Sequence, residues 1–229
     1  LWGDVVEEIN QKRPDLSILS SEFFWPATER EIKYIADVLH DFDTRILVYV
    51  RNQKSLAKSI YRQIVKGEKY VGGIKEVVKN RTWIFDYKKI VSKWESVFGE
   101  SSVEMKIFEK QDDGVVRGFA DRAGITWQEG AETKQNVSPP DQVIHLVRGL
   151  NAVENVCPSA LKPFVHRARR NILGGREPGN TVYALVAPFL SSTIMSSSCE
   201  TWFRRKTKNM RDRFIKEYVS RGDRKIFKV

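Results

Sequence analysis

The fold is decided by one stretch of sequence, RILVYV at residues 45–50, which leads directly into the polar turn Arg51-Asn52-Gln53. An almost continuously apolar run of this length is typical of a strand covered on both faces, as in a parallel sheet. A helical pattern follows from about residue 53 to residue 66 and ends at Gly67. A strand, a polar turn and a helix in this order predict an α/β unit.

Outward from this stretch, the hydrophobic pattern predicts further strands at residues 16–20 and 103–108. Thr28 and Glu31 have the spacing of a capping box at the start of a helix. Further helices are predicted near residues 4–12, 28–40, 86–98, 113–123, 141–151, 159–173 and 208–220. Strands that alternate with helices predict an α/β domain with a mainly parallel sheet. Three strands are few for such a sheet, and an upstream strand–helix unit would complete it.

The composition excludes several classes of protein. The 229 residues are 41% hydrophobic and 11% aromatic, which excludes a generically disordered chain. The longest apolar stretch, Val182 to Leu190, is far shorter than the ~20 residues that span a bilayer. Cys157 and Cys199 are too few for a disulfide framework, and the three histidines lack ligand spacing, so we expect no metal site. No secretion signal is recognisable, and we expect a cytoplasmic protein.

The charge is concentrated at the C-terminus. Of the net charge of +10, residues 204–229 carry +8, because eleven Lys and Arg face three Asp and Glu there. A field of this kind attracts an anionic partner such as a nucleotide, an acidic glycan, nucleic acid or an anionic membrane. In the plainer interpretation, Phe214, Ile215 and Tyr218 dock a solvated helix on the protein. We expect residues 1–151 to form the α/β domain and residues 152–229 to form a helical, basic extension packed on it.

Arg51 is the candidate binding residue at the carboxyl end of the strongest strand. Ligands of α/β sheets bind outside the carboxyl ends of the strands. A planar guanidinium there can hold a phosphate through two parallel hydrogen bonds. The Ser59 hydroxyl, about two helical turns further on, could reach the same anion. The alternative is that Arg51 pairs with a carboxylate and Ser59 faces solvent.

The run from Ile46 to Gln63 resembles the 3′-phosphate-binding strand–loop–helix of sulfotransferases. In that family an apolar strand is followed by Arg, by Ser eight residues later, and then by an aromatic residue and Gln nearby. Here these residues are Arg51, Ser59, Tyr61 and Gln63. The resemblance implies that Arg51 and Ser59 bind the 3′-phosphate of 3′-phosphoadenosine 5′-phosphosulfate (PAPS).

Further segments are similar to the bacterial, carbohydrate-type branch of the family. The helix and strand from Asp86 to Glu109 look like that branch, and so does Asn136-Val137-Ser138. The resemblance implies a P-loop-NTPase-like three-layer parallel sheet. It also implies that Asn136 and Ser138 belong to the PAPS site. The implied reaction transfers a sulfuryl group from PAPS to a hydroxyl, which we expect to be on a carbohydrate, and releases adenosine 3′,5′-bisphosphate.

Glu22, at the end of the first predicted strand, is a candidate general base. A carboxylate there could take the proton of an acceptor hydroxyl as it attacks sulfur. The alternative is a salt-bridged or capping carboxylate.

One element of the family pattern is missing. Sulfotransferases of this kind begin with a loop that cradles the 5′-phosphosulfate, and neither G-x-x-x-x-G-K-[ST] nor a similar loop follows a strand here. We expect that unit to lie upstream of Leu1 or to have been lost, and this chain alone to transfer little or no sulfate. Two alternatives stay open: a non-enzymatic module that binds nucleic acid or another polyanion, and an inactive relative of the sulfotransferases.

Overall fold

The computed structural model describes residues 2–108, 115–126, 139–174, 194–219 and 227. The described residues form two compact units, and each unit is assembled from separate stretches of the chain. The first unit contains residues 2–52, 83–108, 115–126, 207–219 and 227, and the second contains residues 53–82, 139–174 and 194–206. The predicted boundary at residue 151 stays a prediction, and Asn151 itself lies inside a helix of the second unit.

The described part of the chain is mostly helical, with a small parallel sheet, and is therefore broadly α/β. In chain order its helices and strands are α1 (Trp2–Lys12), α2 (Glu29–Val38), β1 (Ile46–Val50), α3 (Gln53–Gly67), α4 (Ile74–Asn80), α5 (Tyr87–Phe98), β2 (Val103–Ile107), α6 (Val115–Ala123), α7 (Asp141–Val156), α8 (Lys162–Gly174) and α9 (Ser197–Tyr218). Short 3₁₀ turns lie at Glu22–Phe24, Thr82–Phe85, Glu100–Ser102 and Ser159–Leu161.

Local signals place the helix ends where the sequence predicts them. The Thr28 Oγ1 accepts a hydrogen bond from the Glu31 N–H at 3.3 Å, and the Glu31 carboxylate accepts one from the Thr28 N–H at 2.7 Å, so the capping box of α2 is confirmed. Helix α5 ends at Gly99, whose φ of +85° favours glycine. Helix α9, by contrast, begins at Ser197, well before the start predicted near residue 208.

Strands β1 and β2 pair in parallel, with Val50 opposite Ile107. Strand β1 is less buried than its apolar sequence predicts, because Val50 is buried and the other four residues are half-buried. One face, which includes Ile46, packs on the core formed by α2 and α5. The other face carries Tyr49 together with Glu104 and Lys106, whose charged groups lie 2.6 Å apart. Charged side chains on that face keep it partly in contact with water.

The predicted strand at residues 16–20 is not part of the sheet. This segment is not paired with β1 or β2, and the side chains of Leu16, Ile18 and Leu19 are exposed. The described residues therefore hold two of the three predicted strands. An apolar run of five residues fits a strand only where a neighbouring edge and a covering layer meet it.

The core of the first unit is rich in aromatic side chains. Trp94 of α5 packs with Ile32 and Ile35 of α2, and Phe24 meets Trp94 edge-on with ring centroids 6.1 Å apart. The end of α9 joins α5 through Phe214, which is fully buried and meets the Tyr87 ring at 5.2 Å. The predicted docking of the basic C-terminal helix through Phe214 is thus confirmed.

The second unit is built around α3, α4, α7 and α8. Ile144 and Val147 of α7 are fully buried in it. The buried Asn151 Nδ2 donates hydrogen bonds to the carbonyl oxygens of Val65 and Tyr70, at 3.0 Å and 3.1 Å. These bonds tie α7 to the end of α3 and to the loop that follows it.

Within the described ranges, each helix is too short or too polar to span a lipid bilayer.

Candidate functional site

Arg51 lies immediately beyond the carboxyl end of β1, as the sequence predicts. Its Nε atom is buried and has no hydrogen-bond partner among the described residues. An unpaired buried donor is unfavourable, because its bonds to water are lost without replacement. A guanidinium in this situation, at the edge of a parallel sheet, is suited to an anionic ligand that supplies the missing acceptor.

The guanidinium lies over an aromatic ring from the neighbouring strand end. The Arg51 Cζ is 5.1 Å from the centre of the Phe108 ring, a cation–π contact. Phe108 follows β2 as Arg51 follows β1, and the register Val50↔Ile107 brings the two residues together. Phe108 is also exposed. An exposed ring beside a guanidinium offers a stacking surface for a base and a charge for its phosphate.

Tyr87 fixes the backbone at this edge. Its side chain is fully buried, and its hydroxyl donates a hydrogen bond to the Arg51 carbonyl oxygen at 2.8 Å. On the same unit, the Tyr87 ring meets the Trp25 ring edge-on at 5.6 Å. The Trp25 Nε1 is a second buried donor without a partner in the described part of the chain. Tyr87 therefore contacts both the Arg51 backbone and the Trp25 ring.

Glu22 opens the 3₁₀ turn that ends next to Trp25. Its side chain is exposed, and its carbonyl oxygen accepts a hydrogen bond from the Trp25 N–H at 3.3 Å. Ser21 rather than Glu22 caps the turn, since the Ser21 Oγ accepts from the Phe23 N–H at 3.1 Å. The side-chain capping alternative for Glu22 therefore does not hold at this turn. An exposed carboxylate is free to meet an acceptor molecule from solvent.

Nothing in the described structure tests whether the remaining predicted site residues reach this edge. Ser59 lies half-buried on α3, in the second unit, while Arg51 belongs to the first unit. Their predicted convergence on one phosphate stays a prediction. Asn136 and Ser138 lie outside the described residues.

Sequence reasoning missed Phe108 and Tyr87 as parts of the site. The signal for Phe108 was present, because a parallel pairing of residues 46–50 with 103–107 places the next residue of each strand side by side. The sequence does not single out Tyr87, because an aromatic residue at the start of a helix is ordinarily expected to be part of the hydrophobic core.

Metal chemistry has no support in the described ranges, where no three His, Cys, Asp or Glu side chains cluster closely enough to hold an ion. The edge formed by Arg51 and Phe108 is suited to binding an anionic ligand, because it offers positive charge, hydrogen-bond donors and a ring face. Charge of this kind also stabilises an anionic leaving group.

No protein-family model matches the chain, and no solved structure matches it. The sequence is similar to an uncharacterized protein of Archaeoglobus fulgidus, with 28% identity over 148 residues. The match covers 62% of this chain and 40% of that protein. The chain thus spans less than half the length of this relative, whose name assigns it no activity.

Proposed function

We propose that the protein is a sulfotransferase-like nucleotide-binding protein that binds PAPS and adenosine 3′,5′-bisphosphate through Arg51. The observation that carries the proposal is the buried Nε of Arg51, at the carboxyl edge of a parallel sheet, which has no hydrogen-bond partner within the described part of the chain. The 3′-phosphate is the group assigned to Arg51, because a phosphate accepts two parallel hydrogen bonds from one guanidinium. The adenine is assigned to the exposed face of Phe108.

The proposal extends to the fold and to the acceptor. Strands β1 and β2 would be two strands of a larger, P-loop-NTPase-like three-layer parallel sheet. The proposed acceptor is a carbohydrate hydroxyl that attacks sulfur in line with the departing adenosine 3′,5′-bisphosphate. The sulfur–oxygen bond to the acceptor forms as the bond to the leaving phosphate breaks, and Glu22 takes the acceptor's proton. Positioning and charge stabilisation are the protein's part in such a step.

A calorimetric titration with adenosine 3′,5′-bisphosphate tests the proposal. Arg51→Ala is expected to weaken binding about 10- to 100-fold, because one charge-assisted pairing contributes about 1.5–3 kcal/mol. Ser59→Ala is expected to weaken it about 10-fold for the loss of one hydrogen bond to a charged group. Adenosine 5′-monophosphate, which lacks the 3′-phosphate, should bind wild type and Arg51→Ala about equally weakly.

Arg45→Ala is the matched control. Arg45 precedes the same strand at its opposite end, and its side chain is 84% exposed. Its removal lowers the net charge by the same amount and should leave the affinity unchanged. Wild-type protein that does not bind adenosine 3′,5′-bisphosphate, or equal losses from Arg45→Ala and Arg51→Ala, would refute the proposal. Binding without sulfate transfer would identify an inactive relative that keeps the nucleotide site.

A second candidate function is the binding of a nucleic acid or acidic glycan by the basic C-terminal segment. The observation that favours it is the exposure of the basic side chains of α9, namely Arg204, Arg205, Lys206, Lys208, Arg213 and Lys216. Affinity for a polyanion that falls steeply with salt, and that Arg51→Ala leaves unchanged, would support this candidate.

A further inference from the structure

The turn between α7 and α8 exposes four apolar side chains in the second unit. Val153 and Val156 lie three residues apart on the last turns of α7, and Val156 is 85% exposed. Leu161 and Phe164 lie three residues apart where α8 begins, and Phe164 is 71% exposed. Four residues separate the two pairs along the chain. The apolar side chains are therefore gathered at one end of the α7–α8 hairpin.

The outward face of α8 is basic. Lys162, Arg167 and Arg170 are exposed, and His166 is exposed between them. Helix α8 contains no acidic residue. Arg167 lies one helical turn beyond Phe164, and Arg170 lies one turn beyond Arg167. These cations therefore lie on the same face of α8 as Phe164, next to the exposed apolar side chains.

The carboxylates of the hairpin do not neutralise this face. The described hairpin, residues 139–174, contains two acidic residues, Asp141 and Glu154. Asp141 accepts hydrogen bonds from Arg62, and Glu154 pairs with Lys69. Both carboxylates are thus engaged by cations from α3 and from the loop after it.

We propose that the α7–α8 turn is a docking surface for an anionic lipid bilayer. Peripheral proteins bind a membrane surface by inserting apolar side chains at the boundary between headgroups and acyl chains. Lys and Arg beside these side chains contact anionic headgroups. Three of the four apolar residues are aliphatic. Aliphatic side chains gain from contact with acyl chains but do not stack on bases, so this surface suits lipid better than single-stranded nucleic acid. The inference is independent of the proposed nucleotide site.

Co-sedimentation with vesicles tests the proposal on the full chain. The probes are phosphatidylcholine vesicles with about 30% phosphatidylserine and vesicles of phosphatidylcholine alone. The wild type is expected to bind the anionic vesicles and to bind neutral ones at least about 10-fold more weakly. Arg167→Gln with Arg170→Gln is expected to lower the partition coefficient about 30-fold, since each basic residue at an anionic surface contributes about fivefold. Leu161→Ser with Phe164→Ser is expected to lower it at least as much.

Two matched controls separate this surface from general charge and hydrophobicity. Phe23→Ser removes a phenylalanine that is 76% exposed in the first unit, where Glu22 precedes it. Arg30→Gln with Lys33→Gln removes two exposed cations spaced three residues apart on α2. Both should leave vesicle binding unchanged.

All the substituted side chains are exposed, so the variants should keep the wild-type fold, and circular dichroism checks this. Three results would overturn the proposal. The first is that the wild type does not bind anionic vesicles, and the second is that the test and control variants lose vesicle binding equally. The third is that the protein binds a single-stranded oligonucleotide through Phe164 and does not bind the vesicles.

Discussion

At the scale of single residues, the protein uses half-buried charge pairs that the sequence does not reveal. Asp141 begins α7, and its carboxylate accepts from the Arg62 Nη2 at 2.5 Å and from the Ile194 N–H at 3.2 Å. Lys58 lies 3.6 Å away. Nothing in the sequence separates Asp141 from an ordinary helix-starting aspartate, because its partners come from α3 and from the residues just before α9. Only the fold brings them together.

The Asp141 pair makes stability depend on pH. Burial alone would raise the pKa of Asp141, but the hydrogen bonds from Arg62 and Ile194 and the charge of Lys58 lower it below its ordinary value. A lowered folded-state pKa adds stability above the unfolded-state pKa, about 3.9, and that stability is lost as the pH falls through the folded-state pKa.

We therefore expect Asp141→Asn to reduce the free energy of unfolding by about 2 kcal/mol at pH 7 and by less near pH 3. Urea titrations of the wild type and the variant at both pH values measure this difference. Asp37→Asn, at an exposed position on α2, should change little at either pH. A cost of Asp141→Asn that stays constant between the two pH values would contradict the account.

At the scale of helices and strands, local chemistry was the most predictable part of the fold. The capping box of α2, the end of α5 at Gly99 and the helical span of α3 follow from neighbouring residues. What could not be predicted depends on distant residues. The polar face of the sheet arises because Tyr49 of β1 lies opposite Lys106 of β2, and the unpaired segment at 16–20 has the same apolar composition as a strand.

Replacing two glycines by alanine should change the free energy of unfolding in opposite directions, because their backbone conformations differ. Gly99 has a φ of +85°, and a Cβ at Gly149, inside α7, would contact no atom within 4 Å. Gly99→Ala is expected to reduce the free energy of unfolding by about 1–3 kcal/mol, because a φ of +85° with a ψ of 148° is a conformation that only glycine adopts readily. Gly149→Ala should raise it by about 0.5–1 kcal/mol, because alanine restricts the unfolded chain and favours the helix. Thermal or urea unfolding measures both, and changes of the same sign would contradict the assignment of either position.

Phe214 holds the end of α9 on the first unit. It is fully buried, with the Phe227 ring at 5.5 Å on one side and the Tyr87 ring at 5.2 Å on another. Phe214→Ala is expected to cost about 3–5 kcal/mol and to speed amide hydrogen exchange in residues 208–218. Exchange mass spectrometry checks this, with the exposed Lys216→Ala as the control. Unchanged exchange in Phe214→Ala would show that the helix is held by other contacts.

At the scale of the whole molecule, the chain passes from the first unit to the second directly after Arg51 and Asn52. The motif that joins Arg51 to Ser59 therefore spans a division that hydrophobic periodicity cannot show, because periodicity reports on single elements. The α/β class could be predicted, since a parallel pairing of the two strongest strands is a property of their composition and of the helices between them. Of the candidate site, the sequence predicts Arg51 at the carboxyl end of β1, whereas the proximity of Phe108 and Tyr87 depends on the register and the packing.

Phosphorus NMR of adenosine 3′,5′-bisphosphate measures the central assignment most directly, because its two phosphates give separate resonances. At concentrations that saturate both proteins, the wild type should shift the 3′-phosphate resonance and Arg51→Ala should remove most of that shift, while the 5′-phosphate resonance behaves alike with both. A 3′-phosphate resonance that responds equally to the wild type and to Arg51→Ala would contradict the assignment of Arg51 as the phosphate-binding residue.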